Sequence, residues 1–383
     1  MTIEVQQYDN YESVPSEWNN SCVSTECSLH QLSPYIGKIK SVIARGLILE
    51  YTKPSDLIVD PFSGSGTIPL EAVLLKRRIF ASDVSPYASV LTRAKLFSPP
   101  SLEDALKQAE KLFLKADKLP KQDLRKVPLW VRKFFHPDTL KETLSAVDYC
   151  IKEKNTFLLS CLLGILHHQR PGFLSFPSSH LVPYLRNKSF PKDIFPELYE
   201  YRPLKPRLLS KISRAYRMTE PRIIDGNASY IQGRIENITL PNVFDCLITS
   251  PPYMNALDYN RDNRLRLWFI SRKSDNENDN KLTGRKKAFE NSTRALAKKI
   301  EKSLIAKGYC IFIVGDHLNH SPGMHPALVI QHIISKYAPS LELVKIMADV
   351  IPDVRRSRRN CHNIKTELFL IYRRTNNEGQ SSR

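Results

Sequence analysis

The chain has 383 residues, of which 57 are Lys or Arg and 39 are Asp or Glu, and its formal net charge is +18 at pH 7. This length predicts one large α/β domain with an insertion, or two domains. The positive charge indicates a polyanionic partner, although a solvated lysine-rich surface explains it equally well. The seven scattered cysteines exclude a disulfide framework, and Cys22 and Cys27 lack the spacing of a zinc site.

Residues 1–29 predict a loose segment, because they lack apolar periodicity. They also lack the basic start and the apolar core of a signal peptide. The longest apolar run, Phe157 to Leu166, is too short to cross a bilayer and is interrupted by Ser160 and Gly164. We therefore expect a soluble cytoplasmic protein with reduced cysteines and no metal site.

Residues 30–97 predict the first half of a doubly wound sheet. From Tyr35, apolar residues at helical spacing lead into LIVDPF, a short buried strand that stops at a proline. TIPLEAVLLKRR follows as a helix, RIFASD as a second strand, and PYASVLTRAKL as a second helix with Pro86 in its first turn. Alternation of strand and helix predicts a parallel sheet with helices on both faces.

Residues 98–220 interrupt this alternation. Helical patterns such as SLEDALKQAEKLFLKAD precede a stretch rich in Pro, Arg and aromatic residues that lacks strand alternation. We expect an inserted, mainly helical domain for target recognition, whose basic and aromatic residues from Trp130 to Arg217 suit phosphate contact and base stacking. The alternative is a helical support with an ordinary number of charges. His167 and His168, beside an apolar helix, are expected to be structural.

Residues 221–373 predict the second half of the sheet, with strands at PRIIDG, VFDCLITS, GYCIFIVGD, LELVKIMADVI and TELFLIYRR. The last two are joined by a basic loop and predict a closing antiparallel hairpin. Residues 271–287 are polar enough for a mobile loop, and residues 374–383 predict a disordered tail.

The sequence DPFSGSGT, residues 60–67, lies directly between a predicted strand and a predicted helix. Glycines at such a turn let the backbone approach a ligand at the carboxyl edge of a parallel sheet. The turn lacks the third glycine of the dinucleotide fingerprint, which suits a nucleoside without a pyrophosphate, such as S-adenosylmethionine. Asp83 ends the next strand, where a carboxylate can accept both ribose hydroxyls; a helix cap is its alternative role.

A second motif, TSPPY, follows the strand VFDCLI. An aromatic amine is a poor nucleophile, because its lone pair is delocalised into the ring. The Ser250 side chain and the Pro251 carbonyl can each accept an N–H of that amine and direct its lone pair at a methyl donor. Tyr253 can stack on the base, while Pro251 and Pro252 hold the acceptors rigid. The alternative is a rigid turn with a packed tyrosine.

These motifs resemble those of the amino-methyltransferases that act on DNA at cytosine N4 or adenine N6. DPFSGSGTIPLEA is similar to their motif I, and SPYIGKIKSVIARGLI is similar to their motif X, which contacts the methionine end of the cofactor. The resemblance covers residues 30–97 and 222–373. It implies a Rossmann-like, seven-stranded methyltransferase sheet, S-adenosylmethionine as the cofactor, DNA as the partner, and a restriction-modification system with a cognate restriction endonuclease.

The resemblance also implies roles for single residues at the cofactor site. Phe62 packs beside the cofactor, and the turn residues shape its pocket. Asn227, in DGNASYI, stands where the family usually has an acidic residue near the adenine amino group. The cofactor-binding residues implied in this way are Tyr35, Asp60, Phe62, Gly64, Gly66, Asp83 and Asn227.

Two further pairs are candidates for substrate binding, since a base inside a duplex must be flipped out to reach the motif. Asp258 and Tyr259 continue the resemblance after TSPPY as base-pocket residues, although a helix cap is an equally good structural account. Arg355 and Arg356 lie between the last two strands and are candidate phosphate contacts; the alternative is that they project into water.

The serine of TSPPY favours cytosine N4, because adenine enzymes more often have aspartate there. Adenine N6 is the second expectation. A methyltransferase of RNA bases and a DNA-binding protein that holds the cofactor without reacting are the alternatives. Methylation at carbon 5 is not expected, because it needs a cysteine nucleophile after a proline, whereas Cys246 lies inside a strand.

Overall fold

The computed structural model describes most of the chain, namely residues 11–19, 25–116, 118–120, 122–168, 172–175, 190–219, 227–252, 263–272, 282–315, 325–351 and 365–376. Five predicted site residues lie outside these ranges and stay predictions: Tyr253, Asp258, Tyr259, Arg355 and Arg356. Residues 273–281 of the predicted mobile loop and residues 377–383 of the predicted tail also lie outside them.

Strands and helices alternate at both ends of the described chain. The strands are β1 (Glu12–Ser13), β2 (Leu57–Asp60), β3 (Arg78–Asp83), β4 (Ala228–Gln232), β5 (Phe244–Thr249), β6 (Leu304–Gly315), β7 (Leu341–Ile351) and β8 (Lys365–Arg374). The α-helices are α1 (Ser41–Tyr51), α2 (Thr67–Leu74), α3 (Pro86–Leu96), α4 (Leu102–Ala116), α5 (Leu129–Arg132), α6 (Pro137–Lys152), α7 (Thr156–Ile165), α8 (Leu204–Ala215), α9 (Arg264–Ser271), α10 (Leu282–Ser303) and α11 (Pro326–Tyr337).

The eight strands form one sheet in the order β1-β7-β8-β6-β5-β2-β3-β4. β2 pairs in parallel with β3 on one side and with β5 on the other, and β8 runs antiparallel to both β6 and β7. The chain order therefore reverses at β2, and such a switch point opens a crevice at the carboxyl ends of the strands. The α/β class and the closing antiparallel hairpin are confirmed.

The described part of the N-terminal segment packs onto this sheet, which differs from the expectation that residues 1–29 are loose. β1 pairs in parallel with β7 and adds an eighth strand to the seven expected. Trp18 is 2% exposed, and its ring meets that of Phe369 edge-on, with centroids 5.3 Å apart. A two-residue strand and one buried tryptophan are too short to produce a periodic pattern in the sequence.

Alternate strand residues point to opposite faces of the sheet. Along β2, Ile58 packs in a cluster with α1 and α2, whereas Val59 packs in a second cluster with α10 and α11. In β5, Cys246 belongs to the first cluster and Leu247 to the second. Helices therefore cover both faces of the sheet, as a doubly wound fold requires.

The described part of the insertion is built from α4–α8 and short 3₁₀ helices. Its apolar side chains form one continuous cluster with those of α2, α3 and α9; for example, Leu144 and Leu162 share this cluster with Leu91 and Phe269. A separate domain would have its own core. The insertion is instead a further helical layer that rests on α3.

The longest apolar run of the sequence is the buried helix α7. Among the described residues, none of the helices has both the length and the apolar character needed to cross a membrane. Just after α7, His167 is buried, and its Nδ1 lies 2.6 Å from Ser175 Oγ. Burial lowers the pKa of His167 to about 3, which agrees with a structural role for this residue.

Candidate functional site

A cleft of about 470 Å³ opens at the carboxyl ends of β2, β3 and β5. Its walls come from the turn after β2, the ends of β3 and β5, the segment after β4, the segment before α1 and the first half of α10. This volume is within the range of small-molecule sites. Of the residues predicted from the sequence, the cleft is lined by Tyr35, Asp60, Phe62, Gly64, Asp83, Ser250 and Pro252.

The glycine turn needs both of its glycines. Gly64 and Gly66 have φ angles of +49° and +75°. Residues with a Cβ atom rarely adopt this left-handed region, whereas glycine does so readily. A Cβ atom on Gly66 would lie 2.8 Å from the Thr92 Cα atom of α3, so this glycine lets α2 begin directly against α3. A Cβ atom on Gly64 would lie 3.3 Å from the Tyr35 ring and would narrow the cleft.

Asp83 joins the glycine turn to the start of α3. Its Oδ2 atom accepts the Gly64 N–H at 2.9 Å, and its Oδ1 atom accepts the Ser85 N–H at 2.8 Å. The cap of α3 is Ser85 rather than Asp83, because Ser85 Oγ accepts the Ala88 N–H at 3.4 Å. Each carboxylate oxygen has a further lone pair. Asp83 can therefore hold the turn and still accept hydroxyl donors in the cleft.

Asp60 links the two strands that carry the two motifs. It is 1% exposed, and its Oδ1 atom accepts the hydroxyl of Thr249, the last residue of β5, at 2.7 Å. Burial raises the pKa of Asp60 to about 7, and the charge of Asp83 adds to this rise. Burial also raises the pKa of Asp83 to about 6. A cationic ligand in the cleft would favour the ionised form of both carboxyl groups.

The described part of TSPPY begins at Thr249, the last residue of β5. Ser250 and Pro252 line the same cleft as Gly64 and Asp83, whereas Pro251 is buried. Cys246 is not placed as a nucleophile. It is buried inside β5, and burial raises the pKa of its thiol. A buried thiol of raised pKa is a poor nucleophile.

The structure does not bring Asn227 to the cleft, which corrects its assignment as a cofactor residue. Asn227 precedes β4, and its carbonyl accepts the Ile79 N–H at 2.8 Å, at the amino end of the sheet. The five residues of β4 separate it from the cleft by roughly 17 Å at 3.3 Å per residue. The segment after β4 lines the cleft instead, with Arg234 and Glu236 as its charged residues.

The wall that contains Tyr35 is held by α3. The Tyr87 hydroxyl lies 2.6 Å from Ser33 Oγ and donates to the carbonyl of Pro34 at 2.6 Å. The rings of Tyr87 and Tyr35 have centroids 5.9 Å apart. Tyr87 therefore fixes the backbone just before Tyr35 and packs beside its ring.

The insertion holds the same wall from the other side. Lys211 of α8 donates from Nζ to the carbonyl of Gln31 at 2.6 Å. Gly164 of α7 lies so close to Leu32 that a Cβ atom would overlap the Leu32 carbonyl oxygen. The motifs did not indicate either residue, because both act on the cleft from more than 130 positions away along the chain.

Lys38 is a further cleft residue that sequence reasoning missed. Its Nζ atom donates to the carbonyl of His30 at 2.9 Å, and His30 Nε2 lies 2.7 Å from Glu71 Oε1. Burial raises the pKa of Glu71 to about 7. This group ties the wall that contains Tyr35 to α2, the helix that follows the glycine turn.

Comparisons with known proteins bear on this cleft. A family model described as "RMKL-like, methyltransferase domain" matches residues 32–115. The chain is also 22% identical over 350 residues to the Type II methyltransferase M.MvaI of Kocuria varians, with 83% of this chain and 70% of that protein covered.

Two solved structures show a more distant likeness. TrmN from Thermus thermophilus has a TM-score of 0.33 and 10% identity, with 87% of this chain and 48% of that chain covered, so the present chain spans about half the length of TrmN. The rRNA methyltransferase aviRa from Streptomyces viridochromogenes has a TM-score of 0.34 and 9% identity, with 92% and 93% covered. TM-scores this low carry no argument about the substrate.

The family-model match spans Tyr35, the glycine turn and Asp83, the part of the cleft where the sequence predicted a nucleoside. Together with the geometry of that cleft, it supports methyltransferase activity with S-adenosylmethionine as the cofactor.

Proposed function

We propose that this protein transfers the methyl group of S-adenosylmethionine to an exocyclic amino nitrogen of a base in DNA, with cytosine N4 preferred over adenine N6. The observation that carries the proposal is the shared cleft. Gly64 and Asp83, from the predicted cofactor motif, and Ser250, from the predicted catalytic motif, line one cavity although they are far apart in the chain. A cofactor and an amino group can therefore meet there.

The first part of the proposal concerns cofactor binding. The glycine turn leaves room for a nucleoside against the backbone, and Asp83 accepts the ribose hydroxyls through the lone pairs that the Gly64 and Ser85 N–H groups leave free. Phe62 and Tyr35 supply apolar contacts from two separate segments that line the cleft. The carboxyl groups of Asp60 and Asp83 make the cleft favourable for a cationic ligand.

The second part concerns the amino group. Bound S-adenosylmethionine supplies an electrophilic sulfonium methyl group. Ser250 Oγ and the Pro251 carbonyl accept the two N–H groups of the base, so that the nitrogen lone pair faces the methyl carbon. The nitrogen–carbon bond would form as the carbon–sulfur bond of the cofactor breaks, the electron pair of the broken bond would stay on sulfur, and the nitrogen would then lose one proton to water. Tyr253 stacks on the base in this proposal.

The third part concerns the substrate. The net charge of +18 and the similarity to the Type II methyltransferase M.MvaI both support a nucleic acid. We assign Asp258 and Tyr259 to the base pocket, Arg355 and Arg356 to phosphate contact, and residues 98–220 to target recognition. A cognate restriction endonuclease as a functional partner belongs to the same proposal.

The experiment compares cofactor binding with single-turnover methylation in three variants. Ser250→Ala is expected to slow methylation while the calorimetric affinity for S-adenosylmethionine stays close to wild type. Asp83→Ala is expected to weaken cofactor binding by about 1 to 3 kcal/mol, the scale of hydrogen bonds to a charged group. Ser335→Ala, an exposed change on α11, is the control. Methylation unchanged in Ser250→Ala would remove this residue from the mechanism.

A further inference from the structure

A basic and aromatic surface lies on α5 and the first turn of α9, outside the cleft. The guanidinium carbon of Arg264 lies 4.5 Å from the centroid of the Trp130 ring, and both side chains are half-buried. The Trp130 ring is fixed by edge-to-face contacts with Phe134 and Trp268, at centroid distances of 6.5 and 6.4 Å. Arg264 and Trp130 therefore form a stacked pair with a rigid base.

Three exposed cations lie close to Trp130 in the sequence. Lys126, Arg132 and Lys133 are exposed, and Arg132 and Lys133 follow the 59%-exposed Leu129 by three and four positions, which places all three on one helical face. The opposite face of α5 is anchored by the fully buried Val131. We call Lys126, Trp130, Arg132, Lys133 and Arg264 the α5–α9 surface.

The acid closest in the sequence forms its ion pair with a cation outside this surface. Asp123 is paired with Arg125, whose Nε atom lies 2.9 Å from Asp123 Oδ1. Within the ranges that the structure describes, no carboxylate forms an ion pair with any of the four cations of the α5–α9 surface.

The α5–α9 surface is connected to the cleft through packed side chains. The Arg266 guanidinium, half a turn further along α9, lies 5.7 Å from the Tyr87 ring centroid, and Tyr87 in turn lies 5.9 Å from Tyr35, which lines the cleft. α9 also begins 14 positions after Ser250. α9 thus rests on α3, the helix that holds the wall containing Tyr35.

We propose that the α5–α9 surface binds an unpaired stretch of the nucleic-acid strand that flanks the methylated base. Tryptophan faces and arginine planes stack on bases of any sequence, and Lys126, Arg132 and Lys133 contact phosphates. DNA and RNA share this chemistry. The inference rests on the proposed function for its nucleic-acid substrate. Arg264, which lies outside the insertion, contributes to the binding surface together with residues of the insertion.

The test measures binding of the full-length protein to fluorescent single-stranded DNA, single-stranded RNA and duplex DNA across a series of salt concentrations. Trp130→Ala is expected to weaken single-strand binding by about 5- to 100-fold, the effect of losing one stacked base. Arg264→Lys keeps the charge but loses the planar stack, so affinity falls while the salt slope stays constant. The double variant Arg132→Ala/Lys133→Ala is expected to flatten the slope of log affinity against log salt concentration by about 1.4. The relative affinity for the two single strands distinguishes DNA from RNA.

Arg125→Ala is the matched control, since this arginine lies in the same segment but is paired with Asp123. All variants are expected to keep wild-type cofactor affinity, because none of these residues lines the cleft. Suppose that Arg264→Lys and the double variant bind single strands as Arg125→Ala does, while the wild type binds and methylates nucleic acid. The binding role proposed for the α5–α9 surface is then wrong, and the proposed function stands. A wild-type protein that binds no nucleic acid would overturn both.

Discussion

The two walls of the cleft are built in different ways. The wall of the glycine turn depends on contacts between residues close in sequence, such as Gly64 with Asp83, 19 positions apart, and Ser63 with Thr92, 29 positions apart. The wall that contains Tyr35 also receives the bond from Lys211 to Gln31, across 180 positions. The first wall is a local strand-turn-helix unit, whereas the second is supported in addition by the docked insertion. Substitutions in each wall can separate these two kinds of support.

The largest effect is expected in the local wall, for Gly66→Ala. The new Cβ would meet the Thr92 backbone at 2.8 Å, and an alanine at φ +75° is strained. Strain and overpacking each cost about 1 to 3 kcal/mol, so a loss of about 3 kcal/mol in the free energy of unfolding is expected, together with loss of cofactor binding. Chemical denaturation and calorimetry measure both.

Gly172→Ala is the control for this change, because no atom lies within 4 Å of the position that its Cβ would occupy. It is expected to leave stability and cofactor affinity at wild-type values. Equal effects of the two substitutions would show that the turn geometry does not depend on Gly66.

The distant wall is tested by Gly164→Ala. This glycine does not line the cleft, but its Cβ would overlap the Leu32 carbonyl oxygen and push α7 away from the segment before Tyr35. A loss of about 1 to 3 kcal/mol in stability and a weaker affinity for S-adenosylmethionine are expected. Ser160→Ala, one turn earlier in α7, removes a buried hydroxyl that has no hydrogen-bond partner among the described residues, and is expected to lower neither. Full cofactor affinity in Gly164→Ala would mean that the insertion does not support the cleft.

The contrast between the walls also explains which features the sequence could predict. The glycine turn, Asp83 and Ser250 lie at strand ends that apolar runs mark, so contiguous motifs predict their position at the carboxyl edge of the sheet, where the cleft opens. Asn227 was misplaced because its motif precedes a strand instead of following it, and β4 is marked only weakly in the sequence, because four of its five residues are exposed or half-buried. Lys211, Gly164 and Trp18 act through packing between distant segments, which neither composition nor periodicity records.

A pH dependence is expected from the local wall. Asp83 has a pKa raised to about 6, and the proposed ribose contact uses its ionised form, so cofactor affinity should fall by up to about tenfold per pH unit below pH 6. Asp83→Asn should flatten this fall, whereas Asp56→Asn, at the amino end of β2, should keep the wild-type profile. Calorimetric titration across pH measures it, and an unchanged profile in Asp83→Asn would contradict the assignment.

Protonation of these carboxyl groups has the opposite effect on the stability of the fold, so weaker cofactor binding can be told apart from unfolding. A carboxyl group whose pKa is raised in the folded state binds its proton more tightly there than in the unfolded chain. Protonation of Asp60 and Asp83 therefore stabilises the free protein as the pH falls from about 7 toward about 4. The loss of affinity is thus expected in protein that remains folded.

The smallest effect is expected for Cys246→Ala. Removing a buried sulfur from β5 should cost about 1 kcal/mol in stability through the small cavity left behind. The methylation rate should stay at the wild-type value, because the proposed chemistry needs no thiolate. A loss of methyl transfer without unfolding would contradict that chemistry.

The central claim is that an exocyclic amino nitrogen receives the methyl group, and identifying the product tests it most directly. DNA from cells that express the protein is digested to nucleosides and analysed by mass spectrometry, with DNA from cells that express Ser250→Ala as the control. The account predicts N4-methylcytosine that depends on Ser250. N6-methyladenine would keep the mechanism but show that the serine is a poor guide to the base. Finding 5-methylcytosine would contradict the account, because that product requires a cysteine nucleophile.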